Sequence, residues 1–142
     1  MGGGFNLQLV YPLFAMFILS AAVLIKMFRA RVGAVKSGQI KAGYFKTYEN
    51  LNLPEDVIKT ARHFSNLFEA PVLFYVLCLL GLFLGIDSMT FVVLAWAYVI
   101  IRAFHAHIHM GQNKLAFRMT VYGLGWLVML VMWIIVLAKV VI

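Results

Sequence analysis

The sequence predicts an all-α integral membrane protein, built as a four-helix transmembrane bundle. Three observations carry this reading: 64% of the 142 residues are apolar, only 12% are charged, and the apolar residues gather in four long runs. An ordinary soluble domain carries roughly 25% charged residues. A soluble globule of this size leaves much of its surface in water and could not hide so much apolar side chain. Hydrocarbon is the solvent that fits. Each run must then be a helix, because lipid offers no partner to backbone N–H and C=O groups.

Crossing a hydrocarbon core of ~30 Å takes about 20 helical residues. The first span is read over residues 7–28, with Pro12 in the opening turns, where a missing N–H is tolerated, and Lys26 near the end, long enough to reach the interface. The second is read over 60–84, the third over 90–110 and the fourth over 119–140, so that residues 1–142 form one domain. Residues 29–59 make a long basic loop, in which Arg29, Arg31, Lys36, Lys41, Lys46 and Lys59 outnumber Glu49, Glu55 and Asp56. Pro54-Glu55-Asp56 has the proline and acids that open a helix, here an interfacial one. Gly85-Ile86-Asp87-Ser88 and Gly111-Gln112-Asn113-Lys114 read as short turns.

The basic first and third connections belong in the cytoplasm, which sends the N-terminus, the Asp87 turn and the C-terminus outside. The net charge of +7 lies largely in those loops. That placement points to an anionic membrane face rather than to nucleic acid. The single cysteine, Cys78, allows no internal disulfide. Met1-Gly2-Gly3-Gly4-Phe5-Asn6 lacks the basic region of a signal peptide, so the first run is expected to be a retained span.

Polar residues inside the spans are the candidates for function. An ionisable group there costs ~2.5–3.5 kcal/mol on insertion scales and usually faces the bundle interior. Arg62, Asn66 and Glu69 stand at i, i+4 and i+7 in the second span, within about 60° of one another on a continuous helix. Arg102, His105 and His109, at i, i+3 and i+7, form a second polar stripe in the third. Arg118 opens the fourth helix, with Tyr122 one turn deeper. His63 and His107 point away from these stripes and read as interfacial or packing residues.

Three arginines against one glutamate leave surplus positive charge in a low-dielectric site, which calls for an anionic ligand. Two other readings stand beside it. Glu69 could neutralise an arginine and merely join helices, or His105, His109 and Glu69 could share a metal ion. The arginines on either side would repel a cation, so no metal is expected.

Arg62-x-x-x-Asn66-x-x-Glu69-x-Pro71, then Arg102-x-x-His105, then Arg118 and Tyr122, resembles the MAPEG superfamily: membrane-associated proteins in eicosanoid and glutathione metabolism, including the microsomal glutathione transferases. The resemblance covers nearly the whole chain. It implies a homotrimer that holds glutathione, as cosubstrate, between protomers near the cytoplasmic side. Carried over, Arg62, Asn66 and Glu69 would grip the charged ends of glutathione, Arg102, His105 and His109 would line the cavity, and Tyr122 would lie beside the tripeptide. Arg118 matches the family arginine that stabilises the thiolate, and Lys41, in Ser37-Gly38-Gln39-Ile40-Lys41, is placed loosely on a basic residue of the first helix. The second substrate would be a lipophilic electrophile or lipid hydroperoxide arriving from the bilayer.

Three positions depart from the family pattern. Leu67 stands where an acid usually follows the asparagine, His109 replaces a tyrosine, and Met119 replaces a small hydroxyl residue. The segment His63-Phe64-Ser65-Asn66-Leu67-Phe68-Glu69-Ala70-Pro71 looks more like a bacterial branch, which implies a bacterial inner membrane.

Overall fold

The structure, a computed structural model, describes residues 7–48 and 52–141, and among them there is no strand. The expected Glu49 lies outside the described residues. A 3-10 turn at Leu7–Leu9 leads into α1, Val10–Lys36; α2 is the short Tyr44–Thr47; α3 is Glu55–Asn66 and α4 Ala70–Phe83; α5 is Met89–Met110 and α6 Leu115–Val141. Four stretches are long and apolar enough to cross a membrane: Leu7–Lys36, Glu55–Phe83, Met89–Met110 and Leu115–Val141. The protein is an integral membrane protein.

The first and last helices run beyond the spans read from the sequence. The first holds 30 residues, about 45 Å of helix at 1.5 Å per residue, against a hydrocarbon core of ~30 Å. Arg29–Val35 holds no proline, and its glycine, Gly33, weakens the helix without ending it. The helix stops only where Gly38 takes the left-handed conformation, φ 74, and Gln39 N–H bonds back to Ala34 O at 3.0 Å. The fourth helix likewise begins at Leu115, so Arg118 lies in its first turn rather than at its opening.

The second span differs more. It is not one continuous helix but α3 and α4, separated by a break at Leu67, Phe68 and Glu69. Pro71 is the cause. Its nitrogen carries no proton for the carbonyl four residues back, and its ring crowds that carbonyl. Through the break the chain falls back on shorter bonds, Leu67 N–H to Phe64 O at 3.1 Å and Phe68 N–H to Ser65 O at 3.0 Å. Pro71 then sits in the first turn of α4, where it is tolerated.

The bundle packs along stripes that alternate steps of three and four. On α6 the buried residues are Gly125, Met129, Met132 and Val136; on α5 they include Phe91, Ala95 and Tyr98, widened by Val92 and Val99. Such spacing produces the shallow crossing of knobs-into-holes packing. Phe74 stacks on Tyr98 with ring centroids 4.4 Å apart. Gly81 brings α4 against α5 so closely that a Cβ there would lie 2.5 Å from the Phe91 ring. Beyond the main core, a smaller apolar cluster of Ala34, Ile40 and Val57 ties the overhang of α1 to the start of α3.

Candidate functional site

The buried stripe of α5 does not end at Tyr98. It continues at the same spacing through Arg102, His105 and His109, all buried. The helix therefore presents one interior face that is apolar in its first half and cationic or polar in its second. Among the described residues, that second half faces the broken end of α3 and the first turns of α6.

The break supplies a partner for Arg102. In a continuous helix the Asn66 carbonyl would accept from Ala70 N–H. Here it is met by Glu69 N–H at 3.4 Å and by Arg102 Nη2, also at 3.4 Å. A guanidinium at the C-terminal end of α3 also meets the negative end of that helix's dipole. Its other face lies over the Tyr122 ring, with Cζ 5.6 Å from the centroid, a cation–π contact. Arg102 Nε has no partner.

Arg118 is fixed from the turn before it. Its Nη1 donates to Asn113 Oδ1 at 2.8 Å and lies 3.4 Å from His109 Nε2. A guanidinium has no acceptor, so the histidine nitrogen accepts. Asn113 itself adopts φ 50, a left-handed conformation that asparagine tolerates better than most residues. Sequence reading marked this tetrapeptide as a turn and passed over Asn113 as a partner of Arg118. The signal was available, since asparagine just before a helix is a favoured cap or left-handed residue.

Around these groups opens a cleft of about 260 Å³, lined by Asn66, Glu69, His105, Arg118, Met119, Tyr122 and Gly123. Three helices and the break thus bring five of the expected residues to one cavity: Asn66, Glu69, His105, Arg118 and Tyr122. Arg102 and His109 lie buried behind its wall. Arg62 lines a different cavity, between α1 and α3, and Lys41 is exposed in the turn that leads into α2. The single i, i+4, i+7 stripe expected of Arg62, Asn66 and Glu69 is interrupted, because the break falls between the second and third of them.

His63 corrects the sequence reading. Rather than pointing away, it is fully buried, with its ring 5.4 Å from that of His105 and 5.1 Å from that of His109. Neither of its ring nitrogens has a hydrogen-bond partner. The stripe argument missed it because Asn66 lies on α3 at the break, and α5 packs against the flank of α3 that carries His63. Among the described residues no group of histidine, cysteine or carboxylate side chains is arranged to hold a metal ion.

Glu69 stands exposed at the mouth of the cleft. No ion pair joins it to Arg62, Arg102 or Arg118; among the described residues the ion pair is Lys59 with Glu55, at 2.7 Å. A carboxylate that joined helices by neutralising an arginine would be paired. The cleft therefore offers two kinds of recognition: a free carboxylate at the rim, and a fixed guanidinium with an imidazole and an amide within.

No curated protein and no solved structure matches the chain. The MAPEG family model matches residues 9–138, nearly its whole length. Four spans, a cationic second half of α5 and a polar cleft at the broken second span agree with that match, and the chain belongs to the MAPEG family.

Proposed function

We propose that the protein is a glutathione-dependent transferase or peroxidase, acting on lipophilic electrophiles or lipid hydroperoxides at the membrane. The observation that carries this is the unpaired Glu69 facing Arg118 and Asn66 across one cleft. Glutathione is a zwitterion with one ammonium, two carboxylates and a thiol. Glu69 suits the ammonium, Asn66 and His105 can donate to a carboxylate, and Arg118 suits the sulfur. Arg102 adds positive field from behind, and Arg62 and Lys41 lie outside the cleft.

The thiol, with pKa ~8.5, is mostly protonated at neutral pH, and the thiolate is the nucleophile. An opposite charge within ~4–6 Å favours the ionised form. Arg118, held by Asn113 and His109 and so unable to swing into water, is the group to supply that charge. In a conjugation the thiol proton leaves to water. The sulfur forms the new C–S bond, and the leaving group departs with the electron pair of the bond that breaks.

At about 260 Å³ the cleft falls below the ~300–1,000 Å³ of typical ligand pockets. A neighbouring protomer of a homotrimer would close its open side. With the basic third connection on the cytoplasmic side, the cleft beside it would open toward the compartment that supplies glutathione. The setting this reading takes is a bacterial inner membrane with the N-terminus outside.

The test is conjugation of glutathione to chlorodinitrobenzene by the full chain in detergent, with thiolate formation followed by ultraviolet absorbance. Arg118→Ala is expected to lower the rate about 100-fold or more, in the range of losing one fixed transition-state donor, while the oligomer survives. A wild-type protein that forms no thiolate and no conjugate would refute the reading.

A further inference from the structure

A second cavity, away from the cleft, lies where α1 outruns the hydrocarbon. It measures about 350 Å³ and is walled by Arg31, Tyr44 and Phe45 on one side and by Val57, Ala61 and Arg62 on the other. Arg31 is fixed there, its Cζ 5.3 Å from the Phe45 ring centroid and 5.9 Å from that of Tyr48, and its Nε is buried with no partner. Among the described residues no carboxylate lines this cavity. Glu55, at the start of α3, is already engaged by Lys59.

Deeper along the same seam of α1 and the second span runs an apolar trough of about 520 Å³, whose walls include Phe17, Ala21 and Leu24 on α1 and Phe64, Phe68 and Val72 opposite. From Arg31 to Leu24 is seven residues, about 10 Å along the helix. Arg31 lies three residues past the apolar run read over residues 7–28, a place that would bring it to the level of lipid headgroups. The seam thus has two guanidiniums at one end and an apolar channel along the rest of it.

We infer that this seam is a specific site for an anionic phospholipid, with its phosphate between Arg31 and Arg62 and one acyl chain in the trough beneath. The charge argument selects the lipid. A zwitterionic headgroup would bring its own cation to a cavity that already holds two, whereas an anionic one would not. Basic residues near a membrane surface each attract anionic lipid, and the effect is strongest where headgroups lie within a Debye length. The trough separates a lipid from a free anion, since only a lipid fills both parts.

The test uses the full chain in detergent with phosphatidylglycerol, phosphatidylcholine or inorganic phosphate added, read by native mass spectrometry and thermal unfolding. Phosphatidylglycerol is expected to be retained at least about fivefold better than phosphatidylcholine, and Arg31→Gln to remove about fivefold of that retention. Arg31→Lys is expected to keep most of it, which separates loss of charge from loss of fold. Ala21→Trp, which fills the trough, is expected to lower retention while helical content is unchanged. Equal retention of the two lipids, or retention indifferent to Arg31→Gln, would overturn the inference. So would stabilisation by inorganic phosphate that equals that by phosphatidylglycerol, since the occupant would then be a free anion.

Discussion

Arg102 is buried in the interior of the bundle with one long hydrogen bond, one aromatic face and an unpartnered Nε. That is thin compensation for a charge taken out of water, whose cost is several kcal/mol even after relaxation. A purely structural arginine would be better satisfied. Replacing a buried ion pair by well-packed apolar residues is often neutral or stabilising by ~1–4 kcal/mol, and Arg102 has no ion-pair partner among the described residues that its removal would strand. Against this, Arg102→Met leaves the Asn66 carbonyl with only its weak bond to Glu69 N–H, a cost of about 1–3 kcal/mol. Because that carbonyl keeps a partner, the first effect is expected to win. Arg102→Met should therefore raise the thermal midpoint in detergent while weakening glutathione binding. A lower midpoint with binding unchanged would make Arg102 a structural residue.

Among the elements, the broken second span sets the site. The break that Pro71 imposes separates the Asn66 carbonyl from Ala70 N–H, so that Arg102 can use it, and leaves Glu69 exposed at the rim; local helix stability is given up for the geometry of the cleft. A proline in a helix interior is ~3 kcal/mol less favourable than alanine. Pro71→Ala is expected to let α3 and α4 run together, raising the thermal midpoint and lowering glutathione affinity about tenfold or more, a trade of activity for stability. An unchanged affinity would show that the break does not position Glu69. Elsewhere the spans depend on close packing. Gly81→Ala puts a Cβ 2.5 Å from Phe91, a fully buried ring that has little room to yield. The overpacking is expected to cost ~1–3 kcal/mol, read as a drop in thermal midpoint. No drop would mean that α4 and α5 separate more readily than this contact implies.

Much of this was legible in the residues. Apolar runs must become helices in lipid, so the four spans could be read from hydropathy and length alone. The polar stripe of α5 followed from period, because Arg102, His105 and His109 lie on an unbroken helix. The stripe of the second span was less legible. A period holds only while the helix does, and Pro71 stops it between Asn66 and Ala70. The ends of α1 and α6 were set short because hydropathy marks where hydrocarbon stops, not where hydrogen bonding stops. His63 and Asn113 went unread because their roles depend on which flank of α3 meets α5 and on how one turn closes, both tertiary facts.

For the molecule as a whole, the proposed reading divides the labour between two sites. It gives the cleft at the junction of α3, α5 and α6 to the polar cosubstrate and the α1–α3 seam to lipid. The cleft's open side is where a second copy of the chain would complete it, and where a lipophilic substrate would meet the sulfur. All of this depends on the cleft recognising glutathione. The most direct measurement is a thermal-unfolding titration of the full chain in detergent with reduced glutathione. At 100 times the dissociation constant, a ligand that binds only the folded state adds ~2.7 kcal/mol of stability. A saturable rise of the midpoint that Glu69→Gln weakens and Arg118→Ala diminishes is the predicted result. A midpoint that stays fixed at every glutathione concentration, in protein shown to be folded, would contradict it.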